Sequence, residues 1–186
     1  MKVNVTSNIK DVRRNLTTLQ KEVLPQATNR SLNRVGGSIN TQVRRYVARE
    51  AGITQKDLKR RGFFANLRSN IRTMTYTVIV RYGAIPLKDF NPRQTKKGVT
   101  AKAWGQRKVY DGAFIVDKLG RHVFVRKTKN SLPIKKLYGA IPSRVADSPV
   151  LEDNVQGIVD QRLGREMMAN INYYVAQRMK RRARGR

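Results

Sequence analysis

The sequence contains no cysteine and only one histidine, His122. Without cysteine, the chain can form neither a disulfide nor a thiolate zinc site. One histidine cannot supply a two-histidine metal site, and a Ser-His-Asp triad has to be built on His122 itself. That residue opens an apolar run, 122–125, which is typical of a strand, and we interpret it as a structural or solvent-facing side chain.

Acidic residues are also few, with 12 Asp and Glu in 186 residues. The adjacent pair Glu152 and Asp153 falls in the first turns of a predicted helix, where the helix dipole favours negative charge. No glycine pattern of the Walker or Rossmann kind follows a predicted strand. We therefore predict that the protein is not an enzyme and has no catalytic, metal or cofactor site.

Long apolar segments are missing as well. No run approaches the ~18 consecutive apolar residues of a membrane span, and the first residues lack the pattern of a secretory signal. We expect no membrane contact and assembly in the cytoplasm. Apolar residues make up 39% of the chain, which is low for a globular protein. This low share favours a protein that buries further surface by assembly with copies of itself or with partners.

What the chain has in excess is positive charge. Its 40 Lys and Arg give a formal net charge of +28. Repulsion on this scale requires a polyanion or acidic protein neighbours, and nucleic acid is the leading candidate. Ribosomal and chromatin proteins share this property. Sequence-specific readout is not predicted, because we find no helix-turn-helix, zinc finger or RNA-recognition aromatic pair.

The charge is concentrated in the predicted sheet region. The segment Leu58–Tyr110 holds thirteen basic residues and one acid, and Lys118–Ala146 holds eight basic residues and no acid. We hypothesise that a hairpin and the strand after it face a phosphate backbone; the alternative is a solvated rim. The candidate DNA-facing residues are Arg93, Lys96, Lys97, Lys102, Arg107, Lys108, Arg126, Lys127 and Lys129.

Two aromatic residues in this region have two possible roles. Trp104 and Tyr110 could stack on bases, as aromatic residues do in proteins that bind single strands. In an alternating strand, however, such residues are more often located in the core or at an interface. We favour the second role for both.

Helices are predicted at both ends of the chain by apolar residues at three- and four-residue steps. The first helix covers about residues 8–22, and Pro25 suits the first turn of a second helix that ends at Ala51 and Gly52. Its central Gly36 and Gly37 indicate a bend, which we favour, or a close approach of another backbone. The final helix begins at residue 149 and extends to about 180.

Between the helices the pattern changes to alternation. Thr54 and Asp57 predict the cap of a short helix. Strands are predicted over residues 73–80, 99–104, 109–116 and 122–126, with a hairpin connection at 118–120. We therefore predict an α+β fold, an antiparallel sheet packed by N-terminal helices with a long C-terminal helix. One domain, 1–186, is expected, with a helical region over 1–60, a β region over 71–146 and the terminal helix over 148–182.

A set of short motifs resembles the minor tail protein Z family of long-tailed bacteriophages. The order and spacing of the motifs are similar to those of the family, in which a Gly-Ala-Phe-Ile strand precedes an aromatic strand that ends in a basic residue. The motifs are Ile85–Leu87, Asp111–Ile115, Val123–Arg126, Leu132–Ile134, Leu137–Gly139 and Ile141–Pro142.

The resemblance implies the fold of tail-completion proteins and a structural role in the virion. It places the protein in a ring of its own copies at the head-proximal end of the tail or at the neck. There it would meet tail tube, tail terminator or neck proteins and contact the genomic DNA nonspecifically. The alternative is a ribosomal or other basic structural protein that binds RNA or DNA.

Two further groups of residues are assigned to packing. We expect Gly112 and Gly139 to set turn geometry within the motifs. Gly157 and Gly164 lie seven residues apart on the last helix, so they can admit a helix of another subunit; tolerance on a solvated side is the alternative. The residues assigned to sheet core and subunit contact are Phe114, Ile115, Leu137, Tyr138, Gly157 and Gly164.

Overall fold

The computed structural model describes residues 16–185, and the chain divides into two compact units. The first unit comprises the described residues of 1–38, residues 67–77 and the described residues of 156–186. The second comprises residues 39–66 and 78–155. The predicted helical residues 8–15 lie outside the described residues. The single domain 1–186 stays a prediction.

The first helical region is continuous where the sequence predicted a break at Pro25. A π-helical turn, Leu19–Val23, leads directly into helix α1, Leu24–Ala51. A proline ring clashes with the carbonyl four residues earlier, which here is that of Lys21 in the π turn. Because a π turn loosens the regular hydrogen-bond ladder, it gives the ring room, and the helix passes Pro25 without ending.

The end of α1 and the start of the next helix follow the sequence signals. After Ala51, Gly52 adopts φ +72°, the left-handed conformation that closes many helices. Helix α2, Gln55–Arg60, begins after Thr54, whose Oγ1 accepts a hydrogen bond from the Asp57 N–H at 3.1 Å. Both predictions are confirmed.

The last two helices are α3, Pro142–Ala146, and α4, Pro149–Arg184, which is about 54 Å long. Within the first unit, α4 runs antiparallel to α1. Asn170 Nδ2 donates to the buried Ser31 Oγ at 2.9 Å, and Arg34 pairs with Glu166 at 3.1 Å. A buried polar pair fixes the register of two helices, because shifting it leaves both groups unsatisfied. The long helix therefore finds a neighbour within its own chain.

The glycine pair in α1 packs differently at its two positions. The helix continues through both residues. A Cβ at Gly36 would lie 2.3 Å from the Tyr76 ring, whereas a Cβ at Gly37 would have no atom within 4 Å. A side chain, and not the backbone of the alternative interpretation, therefore makes the close approach at Gly36. The bend that we favoured there stays a prediction.

We predict opposite effects of alanine at these two glycines. Gly36→Ala should lower the free energy of unfolding by about 1–2 kcal/mol, because overpacking against Tyr76 exceeds the gain in helix propensity. Gly37→Ala should raise it by up to about 1 kcal/mol. Urea titrations followed by circular dichroism measure both. Equal effects of the two substitutions would contradict the packing of Tyr76 on Gly36.

The first strand pair combines one strand that the sequence did not predict with one that is shorter than predicted. Strand β1, Phe64–Leu67, pairs with β2, Thr77–Val80. The predicted strand 73–80 is therefore wrong in its first half, and only its second half joins a sheet.

A turn stabilised by the side chain of Asn70 precedes β2, where the sequence predicted the first half of the strand 73–80. The Asn70 Oδ1 accepts hydrogen bonds from the N–H groups of Arg72 at 2.9 Å and Thr73 at 2.8 Å. Met74, the next residue, adopts φ +45°. Because such bonds from a side chain to nearby backbone compete with the pairing of strands, the extended conformation begins only after this turn.

The remaining strands form two antiparallel sheets of three strands each. Gly112, at φ +65°, divides the predicted strand 109–116 and turns the chain from the first sheet into the second. The predicted strand 122–126 and its hairpin are confirmed. The strands are β3, Arg93–Thr95; β4, Gly98–Ala101; β5, Lys108–Asp111; β6, Ala113–Val116; β7, His122–Arg126; and β8, Ile134–Lys136.

One glutamine side chain joins these two sheets. Gln94 donates from Nε2 to the Ala113 carbonyl at 3.4 Å and accepts at Oε1 from the Ile115 N–H at 3.0 Å. Both sheets contribute to the core of the second unit, together with α1 and α2. The largest fully buried apolar side chains there are those of Phe90, Leu58, Ile85, Leu87, Val47, Val99 and Val123.

Two of the sequence motifs meet at this core. The Ile85 N–H donates to the Ala140 carbonyl at 3.0 Å, and the Gly139 N–H donates to the Ile85 carbonyl at 2.8 Å. A Cβ at Gly139 would lie 2.5 Å from the Phe90 ring. Gly139 therefore serves close packing and not the turn that the sequence predicted, while Gly112 does form a turn. The α+β prediction is confirmed.

Candidate nucleic-acid interface

All nine candidate DNA-facing residues are exposed in the second unit. Within residues 16–185, none of them forms an ion pair. Six acids pair instead with other arginines. Those arginines are Arg34, Arg49, Arg60, Arg61, Arg121 and Arg178.

Five of the nine cations lie at one end of the two sheets. The Gly112 N–H donates to the Lys97 carbonyl at 3.0 Å, which brings the β3–β4 turn to the start of β6. Ala113 pairs with Val125, so Arg126 lies at the same end. We call this group the turn cluster. Its members are Lys96, Lys97, Arg126, Lys127 and Lys129.

The other four cations lie at the opposite end of β4. Arg93 is paired with Thr100, and Arg107 Nη1 donates to the Thr100 Oγ1 at 3.1 Å. The five steps from Lys97 to Lys102, at about 3.3 Å each, place the two ends roughly 16 Å apart. We call this group the loop cluster, which consists of Arg93, Lys102, Arg107 and Lys108. The structure therefore divides the nine residues into two groups at opposite ends of β4.

The two aromatic residues of this region differ in their surroundings. Tyr110 packs partly against the core, and burial raises the pKa of its hydroxyl. Trp104 lies in the connection between β4 and β5, where 46% of its surface is exposed. It adopts φ +59°, so the predicted strand 99–104 is wrong beyond Ala101.

The predicted interface residues are also divided by the structure. Ile115 and Leu137 pack against the core, whereas the ring of Phe114 lies 5.0 Å from the Arg126 guanidinium. Tyr138 is exposed and lies 5.5 Å from the Lys136 ammonium. At Gly157 and Gly164 of α4, an added Cβ would meet no atom within 4 Å. Contact with another subunit through these residues stays a prediction.

The sequence did not reveal the cationic surroundings of His122. Lys136 Nζ lies 3.1 Å from His122 Nε2, so the imidazole accepts this hydrogen bond in its neutral form. Burial lowers the pKa of His122 from its ordinary value of 6.5, and the charges of Lys136 and Lys88 lower it further. The unfolded chain therefore binds the proton more readily, and the contribution of His122 to stability falls as the pH drops below 6.5.

The second unit also contains a groove of about 580 Å³ beside the C-terminal end of α1. Two of its carboxylates, Asp57 and Asp89, are paired with Arg60 and Arg61. Among residues 16–185, no group of three or more His, Asp or Glu side chains is placed to hold a metal ion. In the same range, no helix combines the length and apolar character that a membrane crossing needs.

The fold and the charge map together define a strongly basic α+β protein with two exposed groups of cations that form no ion pair within the described part of the chain. The chain matches the family of prophage minor tail protein Z (GPZ) over residues 8–181, and it belongs to that family. It is therefore a phage minor tail protein, associated with the virion. The resemblance in residues 85–142 is confirmed, and the match includes both flanks. No curated protein and no solved structure matches the chain.

Proposed function

We propose that the protein completes or joins the tail as a subunit of a ring at the head-proximal end of the tail or at the neck. In that position it contacts the genomic DNA through backbone phosphates. Membership of the minor tail protein Z family supports the place in the tail. The observation that carries the DNA contact is the set of nine exposed cations without acidic partners in the described chain, residues 16–185.

The electrostatics favour a phosphate backbone as the partner of these cations. Six of the twelve acids pair with other arginines, and the large excess of cations keeps a positive potential at the two clusters, which attracts a polyanion over several ångströms. Lysines in turns and loops reach phosphates without a fixed geometry, so they bind DNA without reading its sequence. Such binding fits a subunit that must hold any genome end.

Assembly in a ring is supported by the apolar surface that the chain leaves exposed. A closed ring of one protein requires two different patches on each subunit, because each copy contacts the next in the same direction. Exposed apolar side chains occur in both units, and they could form such patches. Examples are Leu67, Ile71, Tyr82, Val109, Tyr138 and Met168.

Reversing charge in the turn cluster should weaken binding to duplex DNA and make it less sensitive to salt. The variant Lys96→Glu, Lys97→Glu and Lys127→Glu removes three potential phosphate contacts. Each lost contact should reduce the slope of log K against log salt by about 0.9, a total of roughly 2.7. Fluorescence anisotropy with a labelled blunt duplex at several salt concentrations measures this slope.

A matched control separates local contact from net charge. Lys21→Glu, Lys56→Glu and Lys59→Glu change the charge equally, at exposed helical positions outside both clusters. This control should keep the wild-type slope to within about one unit. If both triple variants show the same slope as the wild type, the turn cluster does not contact DNA.

The place in the particle is tested by removing the gene from the phage. Particles without the protein should assemble tails yet show defective head joining, DNA positioning or infectivity, as seen by electron microscopy and plaque counts. Supplying the wild-type protein in trans should restore infectivity. Fully infectious particles without the protein would refute the role, and cosedimentation of the protein with ribosomes would favour the ribosomal alternative.

A further inference from the structure

Trp104 is the single tryptophan of the chain, and it is presented to solvent in an unusual backbone conformation. Its φ of +59° and ψ of +34° fall in the left-handed region, which bulky residues rarely adopt. Such conformations persist where the surrounding structure enforces them, and they occur often at sites of function.

The turn that carries Trp104 is closed by its own backbone hydrogen bond and held by contacts with two other segments. The Lys102 N–H donates to the Phe90 carbonyl at 2.9 Å, and the Gln106 N–H donates to the carbonyl of the buried Ala103 at 3.3 Å. The end of α1 packs closely on the turn, since a Cβ at Gly52 would lie 2.5 Å from the Gly105 nitrogen. These contacts hold the turn and leave the indole ring outside the core.

Among residues 16–185, no cation lies over the ring of Trp104, although cations lie over the rings of six other aromatic residues. Tryptophan forms the strongest cation–π contacts, and Lys102, Arg107 and Lys108 are close in sequence. Within residues 16–185, however, no cation and no aromatic ring contacts the indole. The covered rings are those of Phe64 by Arg44, Tyr46 by Arg49, Phe114 by Arg126, Tyr138 by Lys136, and both Tyr173 and Tyr174 by Arg30.

We propose that Trp104 stacks on unpaired bases of single-stranded DNA while the loop cluster binds the flanking phosphates. Bases inside a duplex are already stacked on each other, so only an unpaired base offers its face to the indole. The proposal rests on the proposed function, because it assigns a second kind of contact with the same DNA. A protein partner is less favoured, since the neighbours of Trp104 in the loop cluster are cations that pair with no acid among residues 16–185.

Because the chain has one tryptophan, its fluorescence reports directly on this position. The full-length protein is titrated with a single-stranded oligothymidylate and with a blunt duplex of equal phosphate number. We expect the single strand to quench the emission strongly and the duplex to quench it weakly. Equal quenching by both would contradict stacking on unpaired bases.

Substitutions measured by anisotropy complete the test. Trp104→Ala should lower the affinity for the single strand by about tenfold or more and leave that for the duplex within about twofold. Trp104→Phe should retain most of the affinity. Tyr82→Ala, at a tyrosine with 76% exposure elsewhere in the second unit, should change neither. Trp104→Gly also removes the indole, and glycine adopts the left-handed conformation without strain. It therefore tests the proposal even if the alanine variant misfolds.

The possible outcomes separate this proposal from the proposed function. If Trp104→Ala and Trp104→Gly bind the single strand like the wild type, or lose both ligands equally, the stacking proposal is wrong. If they change self-association in sedimentation but not DNA affinity, Trp104 belongs to a protein contact, which also overturns it. The charge-reversal variant of the turn cluster tests duplex binding independently of these results.

Discussion

Gly98→Ala is expected to lower the free energy of unfolding by about 3 kcal/mol or more. Gly98 begins β4 with φ +154°, and a Cβ there would lie 2.2 Å from the Tyr110 carbonyl oxygen. That oxygen belongs to the backbone of the neighbouring strand, so it cannot move aside without breaking the β4–β5 ladder. The expected cost combines backbone strain with overpacking.

A second glycine, in the turn between β5 and β6, provides the control. Gly112 also has a positive φ, +65°, but an added Cβ would meet no atom within 4 Å. Gly112→Ala should therefore cost only the strain of a left-handed alanine, about 1–2 kcal/mol. Urea titrations of both variants measure the difference. A cost at Gly98 no larger than that at Gly112 would contradict the close approach of Tyr110.

Phe90→Ala is expected to have a similarly large effect, about 3–5 kcal/mol of unfolding free energy. Only 2% of the Phe90 surface is exposed, and its ring lies against Gly139 in the core of the second unit. Removing the ring leaves a cavity that the surrounding strands can fill only incompletely. The Phe90 backbone carbonyl, which accepts from the Lys102 N–H, remains in the variant, but a backbone shift around the emptied site should make the loop cluster less ordered.

The control for Phe90 is an apolar residue of the same unit that is exposed. Leu119 has 51% of its surface exposed, and Leu119→Ala should change the stability by no more than about 0.5 kcal/mol. Thermal unfolding followed by circular dichroism measures both variants. If Phe90→Ala costs as little as Leu119→Ala, the described core is wrong at this position.

Structural features that depend on neighbouring residues in the sequence were predicted correctly. The helix start at Thr54, the end of α1 at Gly52 and the strand 122–126 depend on local capping, glycine conformation and alternation. The motif run in residues 85–142 also led to the family that most of the chain matches. The break predicted at Pro25 failed because a π turn accommodates the proline, and such turns leave no clear mark in a sequence.

The candidate site was predicted in its residue types but not in its arrangement. Each of the nine cations is exposed, as charged residues in turns and loops usually are. Their separation into two clusters depends on strand register, which is set by pairs such as Arg93 with Thr100 and Ala113 with Val125. The open indole of Trp104 depends on the packing of Gly52 on its turn, a contact between residues far apart in the sequence.

The amino-acid sequence by itself determined the net charge, the helical and strand periodicities and the membership of the family, because these are properties of composition and of local order. Only the tertiary structure decided which cations lie at the same end of the sheets, which glycines lie under a neighbouring group and that the indole ring of Trp104 is left uncovered. These features arise where residues distant in the chain meet. Their energies depend on distances of a few ångströms that no local pattern encodes.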